Sequence, residues 1–162
     1  MFLAGFTMAC VWKLRSQCSC LDLSNRTSSG FSAFRAHGFC TVCVTYGRLI
    51  VSGSLDETIR IWNLTTGKHI DDPINAGLSV YTVVLSDDGH IIAGAGEEVC
   101  VSDLQTRDRI SSMTGHTFNV RSVALSPDNS RIASGSVDSN IGLWDAQTYA
   151  QVGIFNGHTD TI

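Results

Sequence analysis

Ser134-Gly135-Ser136-Val137-Asp138, followed after five residues by Trp144-Asp145, has a near copy in Ser52-Gly53-Ser54-Leu55-Asp56 ahead of Trp62. In both stretches the Trp lies ten positions after the first Ser, and the two Trp lie 82 positions apart. Gly115-His116 and Gly157-His158 are spaced by 42. A pattern that returns at about 40 to 45 residues marks an internal repeat whose units are too small to bury a core alone and must stack on one another.

Within one unit the period is that of strands. Val120 to Leu125, Arg131 to Ser136, Ile141 to Trp144 and Gln151 to Phe155 are predicted to be four strands in succession. Ser126-Pro127-Asp128-Asn129 between the first two puts Pro where a type I turn wants its fixed φ, and Ser86-Asp87-Asp88-Gly89 repeats that turn one unit earlier. The unit from 37 to 72 predicts strands at Leu49 to Ser52 and Thr58 to Trp62, with its first hairpin shortened to Tyr46-Gly47. Alternation in Thr58-Ile59-Arg60-Ile61-Trp62 sends Ile59 and Ile61 to one face and Arg60 with Trp62 to the other. The middle unit, Val80 to Ser112, keeps apolar runs at 81–85, 91–93 and 99–101 but lacks the polar residues, with Ala76 in place of His, Gly94 of Ser and Ser102 of Trp.

Gly115-His116 and Trp144-Asp145, with the Ser and Asp between them, make residues 37–162 resemble the WD-repeat β-propeller family. The resemblance implies an all-β fold, an incomplete propeller of four-stranded antiparallel blades with about three blades plus the start of a further repeat. Residues 37–162 are expected to be the blades, truncated where Gly157-His158-Thr159-Asp160-Thr161-Ile162 opens the next repeat. Residues 1–36 are expected to form a degenerate partial blade, with strands at Met8 to Trp12 and Cys18 to Leu23, and a polar loop at 24–30. Closed propellers have roughly 4 to 8 blades. At about 42 residues each, this chain supplies fewer than four, so it is expected to be part of a larger propeller or to close its ring by self-association.

Ser, His and Asp are also the residue types of a hydrolytic triad. In the family pattern, however, the Trp144 indole donates to Ser134, Ser134 bonds His116 and His116 bonds Asp138, a structural tetrad repeated as His37, Ser52, Asp56 and Trp62. An active site has no need of a duplicate, and the sequence has no Gly-x-Ser-x-Gly elbow, phosphate loop or zinc-protease motif. No enzyme activity is expected. Cys40-Thr41-Val42-Cys43 with His37 offers three potential zinc ligands, but residues three apart on a strand point to opposite faces. Gly94-Ala95-Gly96 begins a dinucleotide fingerprint that Val99 breaks. No cofactor and no metal are expected.

A net charge of −4 and the lack of any Lys/Arg run argue against a direct nucleic-acid partner. Six irregularly spaced cysteines read as reduced thiols of an intracellular protein, cytoplasmic or nuclear. Apolar Met1 to Trp12 is too short to span a bilayer and lacks a basic lead. The expected function is a noncatalytic protein–protein interaction scaffold. By the family's positional rule its contacts fall on Asn119, Arg121 and Val137, on Ser79, Tyr81 and Glu97, and on Cys40, Val42 and Leu55. Tyr81 and Arg121 lead because those residue types are enriched among binding hot spots.

Two narrower roles arise within the class. One is substrate receptor of a cullin-type ubiquitin ligase, which uses Trp-Asp-x-Arg; here Thr65 and Gln147 stand at the Arg position and only Trp12-Lys13-Leu14-Arg15 keeps the Arg. The other is a sensor array, since residues 122–128 and 142–148 are similar to repeats of fungal NACHT-type proteins.

Overall fold

Apolar residues alternating with Gly-, Asn- and Asp-rich turns give short strands joined by tight hairpins. The computed structural model describes residues 48–162 and, before them, backbone strands at 10–11, 19–20 and 40–46. The strands are β1 (Cys10–Val11), β2 (Ser19–Cys20), β3 (Cys40–Tyr46), β4 (Leu49–Ser54), β5 (Thr58–Asn63), β6 (His69–Asn75), β7 (Val80–Leu85), β8 (His90–Ala95), β9 (Glu98–Asp103), β10 (Arg109–Thr114), β11 (Val120–Leu125), β12 (Arg131–Ser136), β13 (Asn140–Asp145) and β14 (Gln151–Asn156). β3–β6, β7–β10 and β11–β14 form three four-stranded antiparallel sheets, each strand pairing with its sequence neighbour. These are three blades of an incomplete propeller, with no helix among the described residues. β1 and β2 pair antiparallel, Cys10 opposite Cys20; the rest of 1–36 and His37 lie outside the described residues.

The turns are made by residues suited to them. Asn129 N–H bonds the Ser126 carbonyl at 2.9 Å, with Asn129 in the left-handed region at φ 55°. Gly89 repeats this at φ 90°, bonded to Ser86 at 3.1 Å. Asn and Gly tolerate that conformation best. In the first blade Tyr46 pairs with Leu49, the shortened hairpin expected.

The core lies between blades. Val51, Ile59, Ile61 and Ile74 of the first blade pack with Val80, Val83 and Ile91 of the second. Ile92, Val99, Val101 and Met113 on the other side of the second blade pack with Val120, Val123, Ile132 and Trp144 of the third. The middle blade is thus covered on both faces, and its runs Ile91-Ile92-Ala93 and Val99-Cys100-Val101 are buried throughout. Each such side chain stabilises by roughly 1.5 to 3 kcal/mol on burial.

In the middle blade Ala93, and not the Gly94 expected from the sequence, stands where the third blade has Ser134. Ser134 pairs with Val123 and Gly142, and the residue in that register in the middle blade is Ala93, paired with Val83 and Cys100; Gly94 matches Gly135 instead. The slip arises because Gly96-Glu97 connects β8 to β9 where Val137-Asp138-Ser139 connects β12 to β13.

Gly94 has no room for a side chain. A Cβ there lies 2.7 Å from Thr82 Cγ2, 2.8 Å from Val120 Cγ1 and 3.0 Å from the Val120 carbonyl, so the third blade must retreat. Gly94→Ala is expected to destabilise by about 1 to 3 kcal/mol. Gly153→Ala, whose Cβ meets only Phe155 at 4.0 Å, should stay within about 0.5 kcal/mol. Denaturant unfolding of both variants checks this, and equal losses would refute the blade-contact reading.

Candidate functional site

Four polar groups from two strands and two loops meet at one edge of the third blade. Ile132 pairs with Trp144 and Ser134 with Gly142, so the indole can lean back along β13 over Gly142 to reach Ser134. A Cβ on Gly142 would lie 2.7 Å from Ser134 Oγ and 2.8 Å from Trp144 Cζ2, so only glycine leaves the path open. Trp144 Nε1–H donates to Ser134 Oγ at 2.9 Å. Ser134 Oγ meets His116 Nε2 at 2.8 Å, and His116 Nδ1 meets Asp138 Oδ2 at 2.9 Å. Asp138 also accepts the backbone N–H groups of Thr117 and Asn140, both at 2.9 Å, tying the loop before β11 to the β12–β13 turn. Ser134 is 1% exposed, and buried polar groups of this kind need partners.

In the first blade Trp62 Nε1–H donates to Ser52 Oγ at 2.8 Å. Asp56 accepts from Thr58 N–H at 3.1 Å and Thr58 Oγ1 at 2.6 Å. His37, expected to join them, lies outside the described residues.

The middle blade fills the equivalent space differently. Ala76, Ala93 and Ser102 leave the tetrad absent, and Arg109 on β10 takes over. Its guanidinium bonds the Ala76 carbonyl at 3.2 Å, Glu98 at 2.7 Å, Ser112 at 2.9 Å and Cys100 Sγ at 2.9 Å. Burial pushes the Cys100 thiol above its ordinary pKa despite the neighbouring guanidinium. Cys100 stands in the register of Gly142, so the space kept open for an indole in one blade is filled by a thiol in the other.

A second repeated device escaped the sequence reading. Asp145 Oδ1 accepts the N–H groups of Gln147 at 3.1 Å and Thr148 at 2.9 Å. Asp103 does the same for Gln105 and Thr106, both at 2.7 Å, and Asn63 for Thr65 at 2.9 Å and Thr66 at 3.0 Å. These backbone donors hold the Asp103 and Asp145 carboxyls below the ordinary carboxylate range. The signal was Asn/Asp-x-x-Thr at 63, 103 and 145, which survives in the middle blade when His, Ser and Trp do not.

Of the residues expected at a binding surface, three converge. The Arg121 guanidinium lies 4.3 Å from the centre of the Tyr81 ring, and Asn119 Nδ2–H donates to the Tyr81 hydroxyl at 3.2 Å. They join β7 to β11 and its preceding loop across the junction of two blades. Arg121 is exposed and makes no ion pair among the described residues. Beside them, Leu78 and Phe118 occupy matching positions two residues before Val80 and Val120; both are exposed, Phe118 at 60%. Neither was anticipated, though the matching loop position was readable.

The others scatter around this cluster. Ser79 Oγ–H donates to the Leu55 carbonyl at 3.1 Å, a bond between the first two blades. Val137 N–H donates to the Asn119 carbonyl at 3.0 Å. Leu55 and Val137 are half-buried and Glu97 is exposed. Cys40, Val42 and Cys43 lie on β3, but their side chains are outside the described residues. Among those described, no group of His, Cys, Asp or Glu side chains could hold a metal ion, and no helix is long and apolar enough to cross a membrane.

Stacked four-stranded blades tied by a Trp–Ser–His–Asp chain define a repeat protein of the propeller class. The profile of the WD40 family, described as WD domain, G-beta repeat, matches residues 9–63 and 107–145, and the chain belongs to that family. It is similar to the guanine nucleotide-binding protein subunit beta-2 of Nicotiana tabacum, 33% identical over 129 residues, covering 69% of this chain and 34% of the relative. It is likewise similar to the target of rapamycin complex subunit LST8 of Saccharomyces cerevisiae, 30% identical over 109 residues, covering 62% of this chain and 34% of that protein. The anaphase-promoting complex subunit cdh1 of Dictyostelium discoideum is 27% identical over 113 residues, covering 67% of this chain and 15% of its own length. The chain thus spans about a third or less of these relatives. Among solved structures, the RRP9 WD40 repeats superpose with a TM-score of 0.70 at 20% identity, covering 78% of this chain and 41% of that one. The computationally designed Ika8 protein gives 0.69 at 25% identity, covering 79% and 40%.

Asp138→Ala is expected to destabilise the fold by about 1 to 3 kcal/mol, because it strands buried donors. Burial alone raises the Asp138 pKa, but the Thr117 and Asn140 N–H groups and His116 outweigh it and hold the carboxyl below its ordinary value. A lowered pKa contributes stability that is complete above the unfolded value of about 3.9 and fades as pH falls through the folded one. The advantage of wild type over Asp138→Asn should therefore be constant at neutral pH and shrink below about pH 4. Melting curves at a series of pH values check it; a gap that widens in acid would refute the assignment.

Proposed function

We propose that this protein is a noncatalytic protein-binding scaffold whose contact surface centres on Tyr81, Asn119 and Arg121. The observation that carries the reading is the Arg121–Tyr81 pair, an exposed cation 4.3 Å from the centre of an aromatic ring at the junction of two blades. Such a contact contributes about 0.5 to 1 kcal/mol at exposed sites and leaves the guanidinium available to a carboxylate. Phe118 and Leu78 add apolar surface beside it, so the fitting partner is a protein segment with an acidic side chain next to an apolar one. Glu97, Val137, Ser79 and Leu55 frame this surface.

The tetrad supports the noncatalytic part. A nucleophilic serine must face substrate beside oxyanion donors, whereas Ser134 is buried and bonded to both Trp144 and His116. The names of two relatives, subunits of a target of rapamycin complex and of an anaphase-promoting complex, favour work inside multiprotein assemblies, in cytoplasm or nucleus.

A displayed peptide library selected on the full chain tests the surface. The expected outcome is a family of acidic–apolar peptides whose binding falls at least about tenfold in Arg121→Ala and in Tyr81→Ala. Gln147→Ala, in the β13–β14 turn, should bind as wild type does. Selected peptides indifferent to Arg121 and Tyr81 would overturn the assignment. Turnover lost in Ser134→Ala with the fold intact would overturn the noncatalytic reading.

A further inference from the structure

The turns beside Tyr81 and Arg121 carry charge of the opposite sign. Glu57 ends the β4–β5 turn and Glu97 the β8–β9 turn, and both side chains are exposed. Neither carboxylate has a hydrogen-bond or ion-pair partner among the described residues. The acidic groups next to them are taken up: Asp56 accepts the Thr58 N–H at 3.1 Å, Glu98 pairs with Arg109 at 2.7 Å, and Asp138 is 4% exposed beside His116.

Backbone bonds place both turns on the face that Tyr81 and Arg121 share. The Glu57 carbonyl accepts the Ala76 N–H at 2.8 Å and the Leu55 carbonyl the Ser79 hydroxyl at 3.1 Å, which sets the first blade's turn against the loop leading to Tyr81. One blade on, the Gly96 carbonyl accepts the Val120 N–H at 2.7 Å, so Glu97 directly follows a contact with the residue before Arg121. The third blade breaks the series. Its turn has Ser139 where the first has Glu57, both left-handed at φ 65° and 69°, with N–H bonds to Ser136 at 3.1 Å and Ser54 at 3.2 Å.

We propose that the partner segment is of mixed charge: beyond the acidic and apolar side chains, it carries a lysine or arginine that lies over the first two blades, against Glu97 and Glu57. This rests on the reading of Tyr81 and Arg121 as the contact surface. Charge complementarity carries it, because unpaired charges of both signs on one face favour a partner with the reverse pattern and repel one with the same. A run of acids would satisfy Arg121 but would also meet two carboxylates, so the surface discriminates against uniformly acidic segments. The cation stands at the seam with the third blade and the carboxylates on the first two. The segment therefore docks in one direction, its base always on the same side of its acid.

Peptides selected on the full chain supply the probe. The expected family has a lysine or arginine on one fixed side of the acidic residue, and replacing that base by alanine weakens binding roughly two- to fivefold, the range for an exposed ion pair. Glu57→Lys combined with Glu97→Lys should weaken the same peptide at least about tenfold, and selection repeated on that variant should return peptides without the base. Both side chains are exposed and unbonded, so the variant should melt as wild type does. Peptides that need Arg121 and Tyr81 but carry no base would overturn this proposal and leave the contact surface standing. Peptides indifferent to Arg121 and Tyr81 would remove both. Tighter binding of the selected peptides to Glu97→Gln would also overturn the proposal, since Glu97 would then be a counter-ion to Arg121.

Discussion

A glycine on the second strand of each blade lets the first strand of the next come into direct contact, and the rest of the architecture follows from that approach. Gly53 receives Val80, Gly94 receives Val120 and Gly135 receives Ile162, all at distances a methyl group would obstruct. The close seat brings the neighbouring backbone near enough to bond, as Val120 does to Gly96 and Ile162 to Ser136. It also sets the two apolar faces at the spacing where Ile92, Val99 and Val101 fill the gaps around Val123 and Ile132. Packing of this density tolerates little change in volume.

With the blades set in place, each has a polar pocket at its upper edge, and the chain fills that pocket in two chemically distinct ways. The third blade uses a hydrogen-bonded relay from indole to carboxylate. The second uses one guanidinium that reaches a carbonyl, a carboxylate, a hydroxyl and a thiol. Both satisfy every buried donor they introduce, which is the requirement low-dielectric surroundings impose. The loss of His, Ser and Trp from the middle blade is thus a replacement in kind of function: the loop before β7 is still anchored, through the Ala76 carbonyl, as the loop before β11 is anchored through His116.

Much of this was legible in the sequence. The four strands of the third blade were readable to within a residue or two because turn chemistry brackets each of them. Ser134, Asp138 and Trp144 could be named because their spacing returns at Ser52, Asp56 and Trp62, whereas the chain that links them to His116 was implied by the family resemblance. The register of the middle blade was not: its β8–β9 connection is one residue shorter than the corresponding one, which moved the expected Ser position from Ala93 to Gly94. Arg109 was invisible because its role depends on four partners drawn from β9, β10 and the loop before β7, with no local pattern to announce them. The meeting of Tyr81 with Arg121 was half legible. Each residue could be named from its place in its own repeat, but their contact is a product of two blades standing side by side.

Among the described residues, ladder pairing within the sheets never skips a strand. Every described pairing joins consecutive strands, and each blade buries its surface only against the blade next to it. Order therefore spreads along the chain as it does in a linear lattice with nearest-neighbour coupling. Sheets closed by adjacent hairpins carry little loop-closure cost, so each meander can form by itself. Cooperativity is then a property of the seams: the two glycine-lined contacts decide whether three blades melt as one body or as a sequence of separate transitions.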